Sequence, residues 1–546
     1  MSGSTETMSS AAVYGPAQPA APAVSEARSA WADGLLPGLC YLLAAAAVFV
    51  PGLLSPPDWT GTEGRRVQIA LEMVHSGDWL VPTLGFEPNL SKPPLHYWIV
   101  GWLAARFEPA IWLLRLPGAL AFALLAWLAH ALFRRSHGTG AAWCAGLGVL
   151  AAPLVMALVP RAEIDPIFAA LSAASILLLA RGAAFGTLLP LVAGGVVAGL
   201  AFLVKGPPYL MLFAGTAAVW LRRRRGRRLL LALLLTAALP AAYYVALESA
   251  LAGDTSLVDV AVTESVGRIG TFTWQHALDT PMHFVRAFLA SLPFGLFLFY
   301  EYRGARPARP DDAESFVRMV AAAAFSTVLV LTFFPTRPAR YLLPAVPLFF
   351  AAVSPSVASF ARRGMLTPGM RRGLAGLALV AALALCAHAW LPPPFGARTA
   401  LGFAFLAALP LWVDRACRAV AAMLLLPVVA AWTFAAPLAE HRALYREPFA
   451  AAGPALQRAL AARGAHDLAS LLHIPSPLLL HAGILPPGDE FARRDPAAPW
   501  LLMEEGARPP AVWAHLARAA LPPPGYEARV RLQLPKVAVL LLERRG

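Results

Sequence analysis

The strongest constraint on this chain is a series of apolar runs, most of them long enough to cross a lipid bilayer. A helix of about 17–25 mainly apolar residues spans the hydrocarbon core. The chain contains thirteen candidate runs, at residues 35–54, 112–133, 141–159, 166–181, 188–204, 207–221, 229–248, 283–302, 316–334, 340–360, 372–391, 399–414 and 418–437. The sequence therefore predicts an all-α polytopic membrane protein with about thirteen transmembrane helices.

Composition supports this class. Of the 546 residues, 58% are hydrophobic and only 14% are charged, which is too apolar for an ordinary soluble protein. The net charge of +14 does not indicate a nucleic-acid partner, because the basic residues occur in short clusters between apolar runs. Membrane lipids are the predicted surroundings, and no nucleic acid is expected to bind.

Arginine clusters set the predicted orientation, since positively charged loops remain on the cytoplasmic side. If the N-terminus is cytoplasmic and residues 94–107 form an interfacial helix, every strong cluster falls on the cytoplasmic side. The clusters are Arg134–Arg135, Arg181, Arg222–Arg225, Arg227–Arg228, Arg303, Arg306, Arg362–Arg363, Arg371–Arg372, Arg415 and Arg418. Counting 94–107 as a further span would place the cluster at 222–228 outside.

The chain divides into three predicted parts. Residues 1–30, rich in Ala, Pro and Ser, are predicted to form a disordered cytoplasmic tail. Residues 31–437 form the transmembrane domain, whose polar 55–111 loop lies on the opposite side of the membrane and contains helices along its surface. Residues 438–546 are predicted to form a small soluble α/β domain on that same side, with a helix over 448–462 and strands over 529–534 and 536–542.

Charged side chains are predicted to gather at the outer ends of the spans. Cations there would stabilise a departing lipid phosphate, and a carboxylate would take the proton of an attacking hydroxyl. The carboxylates are Glu63, Glu163 and Asp165; the cations, with one tyrosine, are Arg65, Lys92, Arg161, Lys205, Arg268, Arg337, Arg340 and Tyr341. Glu63 and Asp165 are the candidate catalytic residues, and Arg65, Arg161 and Glu163 are assigned supporting roles.

Several of these residues also have a simpler interpretation. Asp165 directly precedes Pro166, which is the arrangement of a helix N-cap followed by proline at the first helical position. Glu63 would lie in the first turn of a helix over 63–76, where the helix dipole favours an acid. Three cations could serve only as interfacial anchors: Lys92, Arg337 and Arg340.

Absent motifs narrow the chemistry. The sequence has no Gly-x-x-x-x-Gly-Lys-Ser/Thr loop, which argues against ATP-driven transport. It has no Asp-x-Asp pair of the kind that holds the metal of a nucleotide-sugar enzyme, and no Gly-x-Ser-x-Gly elbow. Its cysteines show no metal-ligand spacing. No cofactor is assigned with certainty, and a divalent metal stays an open alternative without support in the sequence.

An ordered motif runs through the polar stretch after the first span. It reads Thr62-Glu63-Gly64-Arg65, then Gly77-Asp78-Trp79-Leu80-Val81-Pro82, then Lys92-Pro93-Pro94-Leu95 and Tyr97-Trp98. This motif resembles the first outer loop of bacterial polyprenyl-phosphate sugar transferases of the GT-C type. That family includes the aminoarabinose-to-lipid-A transferases and their protein O-mannosyltransferase relatives. Weaker matches at Arg161-Ala162-Glu163-Ile164-Asp165, residues 199–207 and residues 340–344 extend the resemblance over residues 35–360.

The resemblance implies a function and a place for it. A sugar would pass from a polyprenyl phosphate, such as undecaprenyl phosphate, to lipid A, another glycan or lipid, or a protein. The protein would lie in the bacterial inner membrane, with its active site and C-terminal domain in the periplasm. The residues expected at the lipid phosphate are Lys92, Lys205, Arg268, Arg337, Arg340 and Tyr341.

The resemblance also implies a catalytic carboxylate in an Asp-Glu pair of the first loop. Here Thr62 occupies the first position of that pair, and only Glu63 remains. Glu63 or Asp165 is therefore expected to orient or deprotonate the acceptor.

Two other classes compete with glycosyl transfer. A transporter or lipid flippase would carry ionisable groups near the membrane midplane. The ionisable residues here cluster at helix ends, and the interiors of 166–181 and 188–204 contain none. A non-catalytic scaffold that presents the C-terminal domain would leave the charged outer loops unexplained.

Overall fold

The computed structural model describes most of the predicted transmembrane domain and parts of the C-terminal region. The described residues are 35–54, 62–84, 87–221, 226–251, 280–284, 287, 312–334, 338–363, 449–463, 468–470, 500–505, 526–533 and 538–544. The predicted tail at 1–30, the predicted spans 372–391, 399–414 and 418–437, and most of 283–302 lie outside them.

Helices dominate the described residues. In chain order they are α1 (Leu36–Leu54), α2 (Glu63–Ser76), α3 (Leu95–Arg106), α4 (Ile111–Ala151), α5 (Pro153–Leu158), α6 (Ile164–Phe185), α7 (Leu188–Lys205), α8 (Tyr209–Leu221), α9 (Gly226–Leu251), α10 (Asp312–Leu331), α11 (Ala345–Arg363) and α12 (Phe449–Ala461). A short 3-10 helix, Ala339–Leu342, precedes α11. Six of the described helices, α1, α4, α6, α7, α9 and α10, are long and apolar enough to cross a membrane.

These helices follow the predicted spans. Helix α4 covers the two predicted spans at 112–133 and 141–159, and it is interrupted at Gly138, whose φ of 80° is non-helical. Glycine adopts such a positive φ without a steric penalty. The break therefore lies between the two predicted spans. Helices α8 and α11 correspond to the predicted spans at 207–221 and 340–360. Their apolar parts, Tyr209–Leu221 and Ala345–Ser359, are shorter than the 18 residues of a candidate span.

Helices α6 and α7 form a tightly packed antiparallel hairpin at the centre of the fold. Gly186 ends α6 in the left-handed conformation that commonly stops a helix. A Cβ atom at Gly182 would lie 2.8 Å from the Leu191 backbone nitrogen, so glycine lets the two helices approach. Because the helices run in opposite directions, the start of α6 and the end of α7 lie at the same end of the bundle.

The polar loop after α1 forms two short helices that pack on each other. Helix α2 covers the predicted range 63–76, and Gly77 ends it in the left-handed conformation. Helix α3 has 12 residues and is about 18 Å long, too short to span a bilayer, as expected for the predicted interfacial helix over 94–107. The apolar contact between them consists of Val67, Ile69, Ala70, Met73, Tyr97 and Val100, with Leu114 and Ala162.

Side-chain hydrogen bonds hold the segment between α2 and α3. Strands β1 (Thr83–Leu84) and β2 (Glu87–Pro88) pair antiparallel. The buried Glu72 accepts hydrogen bonds from Gln68 (2.8 Å) and from the Thr83 hydroxyl (2.9 Å). Tyr243 of α9 donates to the Leu80 carbonyl at 3.2 Å. The described residues of the charged first loop, 62–84 and 87–111, are therefore attached to the helix bundle.

The described C-terminal residues contain α12 and a four-stranded sheet. The strands are β3 (Leu468–Ser470), β4 (Trp500–Glu505), β5 (Tyr526–Gln533) and β6 (Ala538–Arg544), in the order β3-β4-β6-β5. Strands β3 and β4 are parallel, and the other two pairs are antiparallel. Helix α12 and strands β5 and β6 lie where the sequence predicts a helix and two strands.

Helices α8 and α10 approach each other closely at Gly215, which generates a prediction about stability. A Cβ atom there would lie 2.1 Å from the Ala322 carbonyl oxygen. Gly215→Ala should therefore destabilise the fold by about 1–3 kcal/mol, as overpacked sites do. Gly38→Ala is the matched control, since its Cβ would meet Trp127 at an ordinary 3.6 Å. Thermal unfolding in one detergent compares the two variants; equal melting temperatures would contradict the prediction.

Candidate functional site

Three acidic side chains are buried where the start of α2 meets the start of α6. They are Glu63, Glu163 and Asp165, and each is at most 7% exposed. A buried carboxylate is costly unless hydrogen bonds or a cation stabilise its charge. The partners of these three carboxylates differ, and the differences determine what each can do.

Glu63 is held in a buried ion pair with Arg115 of α4. Arg115 donates from Nε to Oε1 at 2.9 Å and from Nη2 to Oε2 at 3.0 Å. The Ala162 backbone N–H also donates to Oε1 at 2.8 Å. Such bidentate pairing fixes both orientation and charge. Glu63 therefore ties α2 to α4 and to the segment before α6.

Close packing of α4 against the start of α6 accompanies the ion pair between Arg115 and Glu63. A Cβ atom at Gly118, one turn after Arg115, would lie 2.8 Å from the Val159 carbonyl oxygen and 2.9 Å from Pro166 Cβ. Glycine at this position lets α4 approach the start of α6. The same approach brings the Arg115 guanidinium to Glu63.

Glu163 faces Thr62, the residue directly before α2. The Thr62 backbone N–H donates to Oε1 at 3.0 Å, and its hydroxyl donates to Oε2 at 2.6 Å. Thr62 is the N-cap residue of α2 but makes no side-chain capping bond to that helix. Burial is the main cause that raises the pKa of Glu163 above the usual glutamate value; the nearby Asp165 and Glu63 raise it further, and the Thr62 hydrogen bond opposes them.

Asp165 lies among the predicted phosphate-binding cations. Lys205, at the end of α7, donates a hydrogen bond from Nζ to Asp165 Oδ1. Arg340 Nε lies 4.0 Å from Asp165 Oδ2. Lys205 Nζ is also 4.5 Å from the ring centre of Tyr341, and Arg340 Cζ is 5.9 Å from it. Four predicted site residues from three separate segments therefore meet at one point.

The alternative role of Asp165 as a helix cap is not what the structure shows. Helix α6 begins at Ile164 with Glu163 as its N-cap, so Asp165 and Pro166 both lie inside the first turn. The Asp165 carboxylate contacts Lys205 instead of capping backbone N–H groups.

The other predicted residues occupy different positions. Lys92 is partly buried and donates to the Ser91 carbonyl at 2.5 Å. Its neighbour Pro93 would lie 3.9 Å from a Cβ at Gly206, so the chain after Lys92 runs beside the end of α7. Arg65 is exposed and Arg161 is half-buried. Two predicted residues, Arg268 and Arg337, lie outside the described residues.

Sequence reasoning missed a second layer of polar groups around the carboxylates. Arg115 is one, and the available signal was a lone arginine inside an apolar run, which usually has a specific partner. Arg66 is another; it donates to the Tyr97 hydroxyl at 2.7 Å. His96 is buried, and neither ring nitrogen makes a hydrogen bond of normal geometry within the described residues. Burial, then the charge of Arg66, lowers the pKa of His96 to about 3.

A metal site finds no support in the described part of the chain. No group of three or more His, Cys, Asp or Glu side chains is arranged there to hold an ion. The carboxylates instead take cationic side chains, a threonine and a backbone N–H as partners.

Comparison with solved structures shows a known membrane-protein fold for this helix bundle. The chain shares the fold of ArnT from Cupriavidus metallidurans, whose crystal structure contains bound undecaprenyl phosphate. The TM-score is 0.70 at 19% identity, over 94% of this chain and 98% of ArnT. The apo structure of the same protein gives 0.67 at 18% identity. At this identity the similarity establishes the fold.

Local sequence matches point to the same group. Residues 91–248 match the family described as dolichyl-phosphate-mannose-protein mannosyltransferase. A region of 100 residues is 32% identical to undecaprenyl phosphate-alpha-4-amino-4-deoxy-L-arabinose arabinosyl transferase 1 of Pseudomonas fluorescens, and covers 18% of this chain and 17% of that protein. A region of 74 residues is 34% identical to the corresponding transferase of Pseudomonas savastanoi, and covers 14% of each. These matches confirm the resemblance seen in the outer-loop motif.

The Glu63–Arg115 pair generates a prediction about stability. Arg115→Ala should cost about 3–5 kcal/mol, because it leaves Glu63 buried without its cation. The control is Arg318→Ala, which breaks a partly exposed ion pair with Glu314 one turn apart on α10 and should cost less than about 1 kcal/mol. Thermal unfolding of the purified variants measures the difference. Similar losses for both would show that Glu63 does not depend on Arg115.

Proposed function

We propose that this protein is a polyprenyl-phosphate-dependent glycosyltransferase of the bacterial inner membrane. The observation that carries the proposal is the meeting of Asp165, Lys205, Arg340 and Tyr341 at one end of the helix bundle. Cations placed there can bind a lipid phosphate at the membrane surface and stabilise it as a leaving group. The match to transferases of undecaprenyl-phosphate-linked aminoarabinose supports the same donor class.

The cations have defined roles in the proposed reaction. The acceptor oxygen attacks the anomeric carbon from the face opposite the phosphate, and the bond from that carbon to the phosphate oxygen breaks. The electron pair leaves with the phosphate, whose growing charge is stabilised by Lys205 and Arg340. Lys92 approaches the same phosphate from the first loop, beside the end of α7. Two further residues are proposed at the phosphate from the sequence alone: Arg268 from the resemblance, and Arg337 from its place among the charged residues predicted at the outer helix ends.

The two carboxylates first proposed as catalytic differ in their surroundings. Glu63 is fully buried, and its charge is neutralised by Arg115, which favours a role in positioning the first loop. Asp165 contacts the donor-site cations. We therefore place Asp165 at the lipid phosphate, where it keeps Lys205 and Arg340 together before the donor arrives.

Helix polarity supports the proposed location. Asp165 lies at the start of α6 and Arg181 near its end, about 24 Å away along the axis. The positive-inside rule assigns the arginine end to the cytoplasm, and the carboxylate end then faces the periplasm. We extend this topology to about thirteen spans, with a periplasmic α/β domain at the C-terminus.

The acceptor class follows from location and relatives. An acceptor hydroxyl or phosphate must reach the periplasmic side, as lipid A, other glycolipids and secreted proteins do; the arabinosyl transferase relatives favour a lipid. The competing class, a transporter or lipid flippase, finds no support in the comparisons. The ionisable side chains of α6 and α7 lie near the helix ends and not at the midplane, which favours transfer over transport.

Transfer by purified protein in lipid nanodiscs tests the proposal. The reaction combines undecaprenyl phosphate carrying aminoarabinose or a hexose with lipid A or a peptide acceptor, and mass spectrometry detects the products. Lys205→Ala and Arg340→Ala should each lower kcat by about 10²–10³-fold, as loss of a charge-stabilising donor does. Arg318→Ala, on α10 outside the site, is the control. Wild-type protein that transfers none of these sugars would contradict the proposal.

The Asp165 carboxylate generates a second prediction: its removal should strengthen the binding of the lipid phosphate. This carboxylate competes with a phosphate for Lys205 and Arg340, so Asp165→Asn should bind undecaprenyl phosphate more tightly than wild type, by about tenfold for one lost charge contact. A fluorescence titration with the lipid in nanodiscs measures the affinity. Weaker binding would show that Asp165 organises the cations more than it competes for them.

A further inference from the structure

We propose that Glu163 is the carboxylate that takes the proton of the acceptor, and that Thr62 holds it in position. This inference rests on the proposed glycosyl transfer and adds to it the residue that acts as general base. It starts from the different partners of three neighbouring carboxylates and from the position of Thr62.

Charge pairing separates Glu163 from its neighbours. Glu63 is paired with Arg115, and Asp165 is paired with Lys205. Among the residues that the structure describes, no basic side chain comes within the 4.0 Å of an ion pair with Glu163. A carboxylate that is not neutralised by a cation is the strongest proton acceptor of such a group.

Thr62 fixes the orientation of Glu163 and leaves it able to accept. Each carboxylate oxygen of Glu163 receives one hydrogen bond from Thr62, at 3.0 Å from the backbone N–H and 2.6 Å from the hydroxyl. A carboxylate oxygen has two lone pairs, so each oxygen retains one for an acceptor hydroxyl. Glu163 is therefore held in one orientation with acceptor capacity unused.

The electrostatic surroundings raise the pKa of Glu163, which is the direction that suits a general base. Burial raises the pKa of Glu163, and the charges of Asp165 on its own helix and Glu63 on α2 raise it further. The Thr62 hydrogen bond and Arg66 on α2 oppose that rise. Tyr97 of α3 and Arg65 are the other titratable groups that interact with it. A general base is most effective when its pKa approaches the working pH.

In the proposed step, Glu163 takes the acceptor proton while the sugar moves from the lipid phosphate to the acceptor. The acceptor O–H bond breaks and its proton moves to a Glu163 oxygen as the acceptor oxygen bonds to the anomeric carbon. The bond from that carbon to the phosphate oxygen breaks, and its electron pair leaves with the lipid phosphate. Glu163 returns the proton to water after the product leaves, so no other reactant is consumed.

The closeness of Thr62 and Glu163 suggests moving the carboxylate from one to the other. Glu163→Gln removes the base while keeping the size of the side chain; the amide oxygen can still accept from Thr62, and the amide NH2 can donate to the Thr62 hydroxyl in place of the lost acceptor. Thr62→Asp combined with Glu163→Gln puts a carboxylate back within a few ångströms of the lost one, since the two side chains now touch. Thr62→Asn combined with Glu163→Gln is the matched control, because asparagine has the shape of aspartate without its charge.

Steady-state transfer by these variants gives the expected pattern. Glu163→Gln should lower kcat by about 10²–10⁴-fold, the usual contribution of a general base, with little change in KM for the lipid donor. Thr62→Asp with Glu163→Gln should recover transfer by about tenfold or more over Glu163→Gln alone, and the asparagine control should not. For the wild-type protein, the transfer rate should fall as the pH drops below a pKa that lies above the usual glutamate range. For Thr62→Asp with Glu163→Gln, the same fall should occur at a different pH, because a different carboxylate takes the proton.

Stability supplies a second readout, which tests the raised pKa of Glu163 independently of the transfer reaction. The raised pKa means that the folded state disfavours the charged form of Glu163. The wild-type protein therefore gains stability from this group as pH falls below that raised pKa and loses it as pH rises through it. Glu163→Gln should melt at a higher temperature than wild type at neutral pH. The difference in melting temperature between Glu163→Gln and wild type should become smaller as the pH falls.

Each outcome decides the proposal. Near-normal transfer by Glu163→Gln, or equal recovery by the aspartate and asparagine variants, overturns the role of Glu163 and leaves glycosyl transfer standing. If Glu163→Gln does not fold, the pH profile of the wild-type transfer rate and the transfer rate of Glu163→Asp test the role of Glu163. A wild-type transfer rate that falls only at the usual glutamate pKa contradicts that role. Wild-type protein that transfers no sugar overturns both proposals.

Discussion

The buried ion pair between Glu63 and Arg115 is the interaction on which the arrangement of the site depends. It joins the first outer-loop helix to a spanning helix, and through Ala162 it also holds the segment that leads into α6. Two charges are removed from water here, and their desolvation is offset only because the geometry is bidentate and a third hydrogen bond is present. Loss of either partner would leave a buried charge and release the first loop from the bundle.

With that anchor in place, the site acquires three carboxylates in three electrostatic environments. One is neutralised by an arginine, one shares its charge with Lys205 and Arg340, and one is held by a threonine. Environment, more than residue type, separates their roles, because burial and neighbouring charges decide which carboxylate is paired with a cation and which has a raised pKa. The same amino acid serves as an anchor at Glu63 and as the proposed base at Glu163.

Much of the fold was predictable because it depends on short-range patterns. Apolar runs placed the spanning helices, and the boundary between two runs coincides with the break at Gly138. Helix α2 begins at Glu63 and ends at Ser76 as predicted, since a first-turn acid and a following glycine mark its ends. The site was only partly predictable. Lys205, Arg340 and Tyr341 converge with Asp165 as the candidate list implied, whereas Arg115 was missed because it lies within an apolar run.

The sequence by itself determined the membrane class, the approximate positions of the described spanning helices and the set of ionisable residues near the helix ends. These follow from hydropathy and from the cost of placing charge in a bilayer, which act on local segments. Only the tertiary structure decided which carboxylate takes which partner. Arg115 lies 52 residues from Glu63, and Thr62 lies 101 residues from Glu163. Such contacts arise from close helix packing at positions such as Gly118 and Gly182, where a missing side chain lets distant segments meet.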